Sequence, residues 1–198
     1  MNVVLYVHGK GGNAKEAEHY KPLFPSFDVT GLDYKSYTPW GVKTEIEEAV
    51  KVLKASYERV ILIANSIGVF FCMNAGVDEF IWKAYFISPI TDMEKLILDM
   101  MARADITDSE LKEKGTIQTD FGEELSWKYL SYVRENPIKW RVPTEILYGN
   151  KDDLTAYETI AEFSRKHNAH LTVMENGEHW FHTEEQMRFL DNWIRQSL

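Results

Sequence analysis

The stretch RVILIANSIGVFFCMNAGV, residues 59–77, changes from a strand pattern to a helix pattern at Ser66. Residues 59–65 are apolar and rich in β-branched side chains, which predicts a strand buried on both faces. Residues 66–77 are apolar all round, as is typical of a helix packed against a sheet. Ala64 and Gly68 are small enough to let the strand turn sharply into the helix. Two interpretations of Ser66 stay open here: a nucleophile exposed on the turn, or a serine that only caps the helix.

Short apolar runs alternate with helical patterns along most of the chain. The pattern predicts further strands at 3–9, 27–34, 83–90, 144–150 and 169–177. It predicts helices at 43–57, 155–167 and 183–198. The last two helices open with capping-box spacing, Thr155 with Glu158 and Thr183 with Gln186. Strands that are apolar on both faces favour a largely parallel sheet with helices on each side.

One long segment interrupts this alternation. Residues 91–142 contain no convincing strand and three helical patterns, around 92–104, 107–114 and 122–135. The segment separates two strands that are expected to be neighbours. A long excursion of this kind favours a helical cap over a site, with an elaborate crossover as the alternative. We therefore expect a single domain, 1–198, with a helical cap insertion at about 91–142.

Composition narrows the class of protein. The 198 residues are 44% hydrophobic and 13% aromatic, as expected of a globular chain, and 22 Lys and Arg against 31 Asp and Glu give a net charge of −9. The absence of a basic cluster argues against a nucleic-acid partner. One cysteine, Cys72, and no Cys/His cluster with zinc spacing predict neither a disulfide nor a metal, and no cofactor is expected. No run is long enough to span a membrane, and the N-terminal residues MNVVLYVHGK lack a signal peptide's basic region, so we expect a cytoplasmic protein.

A serine nucleophile needs a base and an acid, and both occur in suitable loops. Asp152 and Asp153 lie in YGNKDDLT after one predicted strand, and His179 and His182 lie in NGEHWFHT after the next. These loops follow the carboxyl ends of strands, where ligands of parallel sheets bind and where Ser66 is also expected. His179 follows an Asn-Gly turn, whereas His182 directly precedes the cap of the last helix, which favours His179 as the base.

Four motifs together resemble the α/β-hydrolase family of serine hydrolases: YVHGKGG, ANSIG, LYGNKDDLT and GEHWF. The resemblance covers nearly the whole chain, with Ala64 in place of the first glycine of the family's G-x-S-x-G nucleophile elbow. It implies Ser66 as nucleophile, Asp152 as acid and His179 as base. It also implies an oxyanion hole formed by the backbone N–H groups of Lys10 and Ile67. The family's first antiparallel strands have no counterpart, so the resemblance implies a minimal α/β-hydrolase fold of about six mostly parallel strands with helices on both faces and a helical cap insertion.

Two groups of residues are candidates for substrate binding. Gly9 and Gly11, with Gly12, let the backbone approach a substrate closely. A phosphate-binding loop is the alternative, but the glycine spacing does not match either common phosphate motif. In the insertion, Met100 and Trp127 are our candidates, since several large apolar residues there suit an acyl or aromatic pocket. The core of the cap itself is an equal alternative for these residues.

Taken together, the residues predict a serine hydrolase that cleaves a small acyl substrate through a Ser-His-Asp triad and an acyl-enzyme. A carboxylic ester is the expected substrate, as for a carboxylesterase, with a thioester or an amide close behind. The alternative is a non-catalytic binding or scaffold protein on the same fold, because the fold alone does not imply activity.

Overall fold

The computed structural model describes all residues, 1–198. The strands are β1 (Asn2–Val7), β2 (Asp28–Leu32), β3 (Arg59–Asn65), β4 (Ile81–Ile87), β5 (Thr116–Gln118), β6 (Glu124–Ser126), β7 (Thr144–Gly149) and β8 (His170–Met174). The α-helices are α1 (Pro39–Ser56), α2 (Ile67–Ala75), α3 (Met93–Arg103), α4 (Asp108–Lys114), α5 (Trp127–Glu135), α6 (Tyr157–His167) and α7 (Glu184–Ser197), and 3₁₀ helices span Ala14–Leu23 and Asp78–Phe80. The chain divides into two compact units, one formed by Met1–Thr91 with Lys139–Leu198 and the other by Asp92–Ile138.

The first unit is built on a six-stranded sheet in the order β2-β1-β3-β4-β7-β8. Every neighbouring pair of these strands is parallel. β1 and β3 are almost entirely buried, as their continuous apolar sequences require for strands covered on both faces, and β4 is buried from Ala84 to its end. The prediction of a minimal α/β sheet of about six mostly parallel strands is confirmed.

Helices cover both faces of this sheet. On one face, the 3₁₀ helix 14–23 and α7 enclose a core with the alternate strand residues, among them Tyr6, Ile63 and Tyr85. On the other face lie α1, α2 and α6. α1 and α2 contact β3, whereas α6 contacts β7 and β8. The predicted capping box of α7 is present: the Thr183 hydroxyl accepts the N–H of Gln186, and the Gln186 side chain accepts the N–H of Thr183.

Two helix beginnings differ from the sequence prediction. α1 begins at Pro39 and not at 43, because Thr38 caps it by accepting the N–H of Gly41 and because proline suits the first turn of a helix. α6 begins at Tyr157 without a side-chain cap, so the predicted capping box of Thr155 and Glu158 is wrong. Thr155 lies ahead of the helix, and its hydroxyl donates to the Asp152 carboxylate at 3.2 Å.

The second unit contains three helices and a short hairpin. Its buried apolar residues are Met93, Ile97, Met101, Leu111, Leu125 and Leu130. β5 and β6 pair in antiparallel fashion around a turn at Gly122, whose φ is +85°. The sequence predicted no strand here and a third helix from 122, whereas α5 begins at Trp127; strands of three residues are too short to give a periodic signal. The role of this unit as a cap stays a prediction.

No helix in the structure combines the length and the apolar character needed to cross a lipid bilayer.

α2 packs directly against the backbone at the end of β1. A Cβ atom added to Gly68 would lie 2.5 Å from the carbonyl oxygen of His8 and 2.8 Å from that of Val7. Neither atom can move without displacing β1 from the sheet. Gly68 is therefore the residue that allows β3 to turn into α2 at this position.

Gly68→Ala should lower the free energy of unfolding by about 2–3 kcal/mol, because the added methyl group collides with backbone in a packed region. Gly76→Ala is the matched control: it ends the same helix at φ +67° with no atom within 4 Å of an added Cβ. Only the unfavourable φ applies there, at a cost of about 1 kcal/mol. Urea unfolding of both variants measures the difference, and equal losses would contradict the collision.

Candidate active site

Ser66 occupies the turn between β3 and α2 in a strained conformation. Its φ is +54° and its ψ is −121°, a left-handed backbone that residues other than glycine rarely adopt. The backbone is held there because the Ser66 N–H donates to the carbonyl of Ile87 at 3.0 Å, while its carbonyl accepts from Val69 and Ile90. Although Ser66 stands at the N-cap position, its hydroxyl makes no capping hydrogen bond. The Ser66 side chain therefore does not cap α2, and its role as a nucleophile stays a prediction.

The Ser66 hydroxyl instead begins a chain of hydrogen bonds. Its Oγ lies 2.8 Å from Nε2 of His179, and Nδ1 of His179 lies 2.7 Å from Oδ2 of Asp152. An ionised Asp152 accepts only, so Nδ1 of His179 carries the proton in this pair and Nε2 is left as an acceptor for the serine hydroxyl. This is the arrangement in which an imidazole can take a proton from serine.

Asp152 is fixed from several sides. Its Oδ1 accepts the N–H groups of Leu154 at 2.8 Å and Thr155 at 3.0 Å, and its Oδ2 accepts the Thr155 hydroxyl at 3.2 Å. Burial on its own raises the pKa of Asp152, but the hydrogen bond and charge of His179 and the two backbone N–H groups lower the pKa more. The net pKa lies below the ordinary value for aspartate, so the carboxylate is ionised at neutral pH.

The neighbouring Asp153 is exposed, in contrast to the Asp152 side chain, which has 0% of its surface accessible. The structure thus brings Asp152, and not Asp153, to the histidine. Thr155 was missed as a site residue because its spacing to Glu158 matched a capping box. The sequence does contain a signal for this role. Asp152 and Thr155 form an Asp-x-x-Thr pattern, and an aspartate side chain often accepts hydrogen bonds from the backbone of the turn that follows it.

The loops that carry Asp152 and His179 are joined by their backbones. A Cβ on Gly149 would lie 2.3 Å from the carbonyl oxygen of Gly177, so the two chains approach as closely as glycine permits. The Lys151 N–H donates to the Gly177 carbonyl at 2.8 Å, and the Asn176 N–H donates to the Asn150 side chain at 2.7 Å. The separation of acid and base is therefore set by main-chain contacts.

The loop after β1 borders Ser66 on the opposite side. A Cβ on Gly9 would lie 3.1 Å from Cβ of Ser66, and Gly11 follows at φ +77°. Lys10 lies in this turn, which is closed by the Gly12 N–H donating to the Gly9 carbonyl at 3.2 Å. Ile67 is the first residue of α2, so its N–H is one of the amides that have no acceptor within the helix. The backbone amides of Lys10 and Ile67 thus belong to the two segments that meet at Ser66.

His182, the other candidate base, and His8, in the loop after β1, have partners other than Ser66. The ring of His8 is buried, stacks on Tyr34 with ring centroids 4.2 Å apart, and lies with Nδ1 2.8 Å from the Gly9 carbonyl. The ring of His182 stacks on Trp180 at 4.4 Å, and its Nδ1 lies 2.7 Å from the Trp180 carbonyl. Of these three histidines, the structure places only His179 against Ser66.

Cys72 is the other residue that carries a potential nucleophile near the elbow. It is fully buried in α2, and burial raises the pKa of its thiol well above the ordinary value. The thiol therefore stays protonated, which fits the expectation of an inert core residue.

Two exposed apolar side chains flank the histidine and the acid. Trp180, directly after His179, is 69% exposed, and Leu154, which donates its N–H to Asp152, is 42% exposed. Neither was predicted as a site residue, since a single apolar residue in a loop has no periodic signal.

The two candidates in the insertion, Met100 and Trp127, both lie in the unit Asp92–Ile138. Met100 is a half-buried residue of α3, and Trp127 begins α5 with its N–H donating to the Gly115 carbonyl at 2.8 Å. The Trp127 ring also lies beside Lys112, at 5.7 Å from its ammonium nitrogen. Their role in substrate binding stays a prediction.

Asp152→Asn should remove part of the pH dependence of stability. The folded pKa of Asp152 is lowered, so its contribution is present above the unfolded pKa of about 4 and is lost as pH falls through the folded pKa. At neutral pH the variant should be less stable by roughly 1–3 kcal/mol, because charge-assisted hydrogen bonds are weakened. Urea unfolding at a series of pH values measures this.

Asp153→Asn is the control for that experiment, since its side chain is exposed and its loss should change stability by less than about 0.5 kcal/mol. Equal pH dependence in the two variants would place the buried, ionised carboxylate elsewhere.

Comparison of the sequence with protein-family models and with curated proteins finds no match. Solved structures do match. Est1E from Butyrivibrio proteoclasticus superposes with a TM-score of 0.77 at 15% identity, over 99% of this chain and 86% of that one. Mouse alpha/beta hydrolase domain-containing protein 10 gives 0.75 at 15% identity, over 98% and 88%. The Pyrococcus furiosus esterase Pf2001 gives 0.59 at 20% identity, over 98% and 83%. At these identities the similarity is one of fold, and the chain has the α/β-hydrolase fold that the sequence motifs predict.

Proposed function

We propose that this protein is a serine hydrolase that cleaves a carboxylic ester through Ser66, His179 and Asp152. The observation that carries the proposal is the unbroken chain of hydrogen bonds from the Ser66 hydroxyl to Nε2 and from Nδ1 to the buried Asp152 carboxylate, at 2.8 and 2.7 Å. The strained backbone of Ser66 agrees with it, because residues held in sparsely populated backbone conformations are frequent at active sites. Two of the structural neighbours are themselves called esterases or hydrolases, which agrees with this class of reaction.

In the first half-reaction, Ser66 Oγ attacks the carbonyl carbon of the ester while His179 Nε2 takes the hydroxyl proton. Asp152 holds the imidazole in the required orientation and stabilises its positive charge. The carbonyl oxygen becomes an oxyanion, for which the backbone N–H groups of Lys10 and Ile67 are the proposed donors. The intermediate collapses to the acyl-enzyme, and the leaving alcohol takes the proton back from His179.

In the second half-reaction, a water molecule gives a proton to His179 Nε2 and attacks the acyl carbon. The same amides stabilise the second oxyanion. Collapse breaks the bond to Ser66 Oγ, which regains its proton from His179, and the carboxylic acid leaves. The serine, the histidine and the aspartate end in their starting protonation states.

The proposed substrate is a small acyl compound with an apolar group near the scissile bond. Trp180 and Leu154 support this choice, because both present apolar surface beside His179 and Asp152. Gly9 and Gly11 are the proposed backbone contacts to the substrate, and Met100 and Trp127 are proposed contacts from the second unit. A thioester or an amide would pass through the same steps, and aryl esters, thioesters and anilides with matched acyl groups compare the three classes directly.

Ser66→Ala should reduce ester hydrolysis by at least about 10³-fold, since removing a triad nucleophile leaves only the contributions of binding and of the oxyanion hole. A fluorophosphonate probe should label the wild-type chain once and the variant not at all, as measured by intact mass. Melting temperatures should agree closely, because alanine and serine are strained alike at this φ.

Ser88→Ala is the matched control for that variant. Ser88 also follows a strand of the sheet directly, at φ +44°, and its buried hydroxyl makes no hydrogen bond. It should keep both labelling and turnover. A wild-type chain that neither labels nor hydrolyses any compound of the panel would favour a non-catalytic binding protein on this fold.

His179→Ala should abolish turnover, and His182→Ala should retain most of it. Wild-type activity should fall at acidic pH, because a protonated His179 cannot accept the proton of Ser66. His182→Ala should keep the same acidic fall, since its ring contacts Trp180 and not Ser66. Initial rates over a pH series test this; an inactive His182→Ala beside an active His179→Ala would exchange the two assignments.

A further inference from the structure

Glu16 links two backbone segments beside Ser66 through a carboxylate with both oxygens bonded. Its Oε2 accepts the hydroxyl of Tyr6 at 2.5 Å, and its Oε1 accepts the backbone N–H of Asn13 at 3.0 Å. Tyr6 is in β1, and Asn13 ends the glycine loop that contains Lys10. The carboxylate therefore fastens the far end of this loop to the strand from which the loop departs.

The glycine loop also packs onto this carboxylate. A Cβ on Gly12 would lie 2.7 Å from Oε1 of Glu16 and 3.0 Å from Cβ of His8. A larger residue at position 12 would have to displace the Glu16 carboxylate, so the loop and this side chain are closely packed. The loop is confined by Glu16 at Gly12 and by Ser66 at Gly9. A Cβ added to Gly9 would lie 3.1 Å from the Cβ of Ser66.

Tyr6 extends the connection to the nucleophile elbow. β1 pairs with β3 so that Tyr6 lies beside Ile63, three residues before Ser66. Burial, together with Tyr20 and the hydrogen bond to Glu16, raises the pKa of Tyr6 well above its ordinary value. The hydroxyl therefore stays protonated and keeps donating to Glu16 at any working pH.

We propose that Glu16 is a positioning residue that fixes the Lys10 amide relative to Ser66 and Ile67, by holding the glycine loop through Asn13 to Tyr6 of β1, the strand that pairs with β3 ahead of Ser66. The two proposed oxyanion donors come from different segments, Lys10 from the loop and Ile67 from α2. Preorganised donors stabilise an oxyanion only when their geometry is set before the reaction. This role rests on the proposed function, and Glu16 itself contacts neither substrate nor the reacting atoms.

A carboxylate suits this position better than an amide. Both of its oxygens are acceptors, and both of its partners, the Tyr6 hydroxyl and the Asn13 N–H, are donors. A glutamine can accept the Asn13 N–H only if its amide N–H donates to Tyr6 in place of accepting from it, and its neutral bonds are weaker than those of a carboxylate. Glu16→Gln should therefore behave as an intermediate between the wild type and Glu16→Ala.

The test compares Glu16→Ala and Glu16→Gln with Glu18→Ala, using hydrolysis of an aryl ester. Glu18 lies on the same 3₁₀ helix, is exposed and pairs only with Lys21 among the ion pairs, at 2.7 Å. Glu16→Ala should lower kcat by about 10- to 100-fold with KM changed by less than about threefold, because misplacing a donor weakens the transition state more than substrate binding. Glu18→Ala should equal the wild type.

Three further readouts separate positioning from a general loss of structure. The acidic fall of the pH–rate profile should keep its position in Glu16→Ala, since His179 and Asp152 are untouched. Binding of an aryl boronic acid, which forms a tetrahedral adduct on Ser66, should weaken in proportion to kcat.

Tyr6→Phe should also lower activity, and its effect should not add to that of Glu16→Ala, as expected of residues in one network. Should Glu16→Ala fail to fold, Glu16→Gln and Tyr6→Phe carry the same comparison.

An unchanged kcat in Glu16→Ala beside an active wild type would overturn the positioning role and leave the proposed function standing. An increase in KM alone would also overturn it. So would a loss of activity that follows the melting temperature while boronate affinity stays unchanged. A wild type without any Ser66-dependent labelling or turnover would overturn the proposed function and the positioning role together.

Discussion

The close backbone packing of α2 against the end of β1 is the constraint on which the site depends. With the carbonyl oxygen of His8 only 2.5 Å from where a Cβ of Gly68 would lie, the chain must turn within one residue between β3 and α2. That residue is Ser66, and the cost is a left-handed backbone at φ +54°. In this conformation the hydroxyl does not cap the helix but bonds His179, so the packing of the sheet and the direction of the Ser66 side chain are linked.

A second pair of close backbone contacts sets the position of the acid and the base. Because Gly149 and Gly177 touch, the loops after β7 and β8 run side by side, and Asp152 and His179 emerge at hydrogen-bonding distance. The carboxylate is buried yet ionised, since its hydrogen-bond donors outweigh the unfavourable effect of burial on its charge. In both places glycine is required by the approach of another backbone, which links the stability of the fold to the geometry of the site.

The polar groups near Ser66 belong to two sets of hydrogen bonds. On the His179 and Asp152 side, Thr155 bonds the carboxylate through both its hydroxyl and its N–H. At the glycine loop, Glu16 bonds the Tyr6 hydroxyl and the Asn13 N–H. Each supporting residue uses its hydrogen-bonding groups within the protein and so restricts a segment that would otherwise be a mobile loop. Rigid placement of this kind is what a preorganised site requires.

The sequence by itself determined the order of strands and helices, the parallel sheet, and the residues Ser66, Asp152 and His179 as members of loops on one edge, because apolar periodicity and motif spacing are local properties. It could not determine whether the Ser66 hydroxyl caps α2 or bonds a side chain elsewhere, since that depends on the backbone conformation at Ser66 and on a histidine 113 residues away. Nor could it detect the short β5–β6 hairpin, the bond from Thr155 to Asp152 or the bond from Tyr6 to Glu16, because local spacing gives no sign of these partners. Only the tertiary structure decided these, because hydrogen bonds between distant segments depend on how the sheet brings its loops together, and no local pattern records that arrangement.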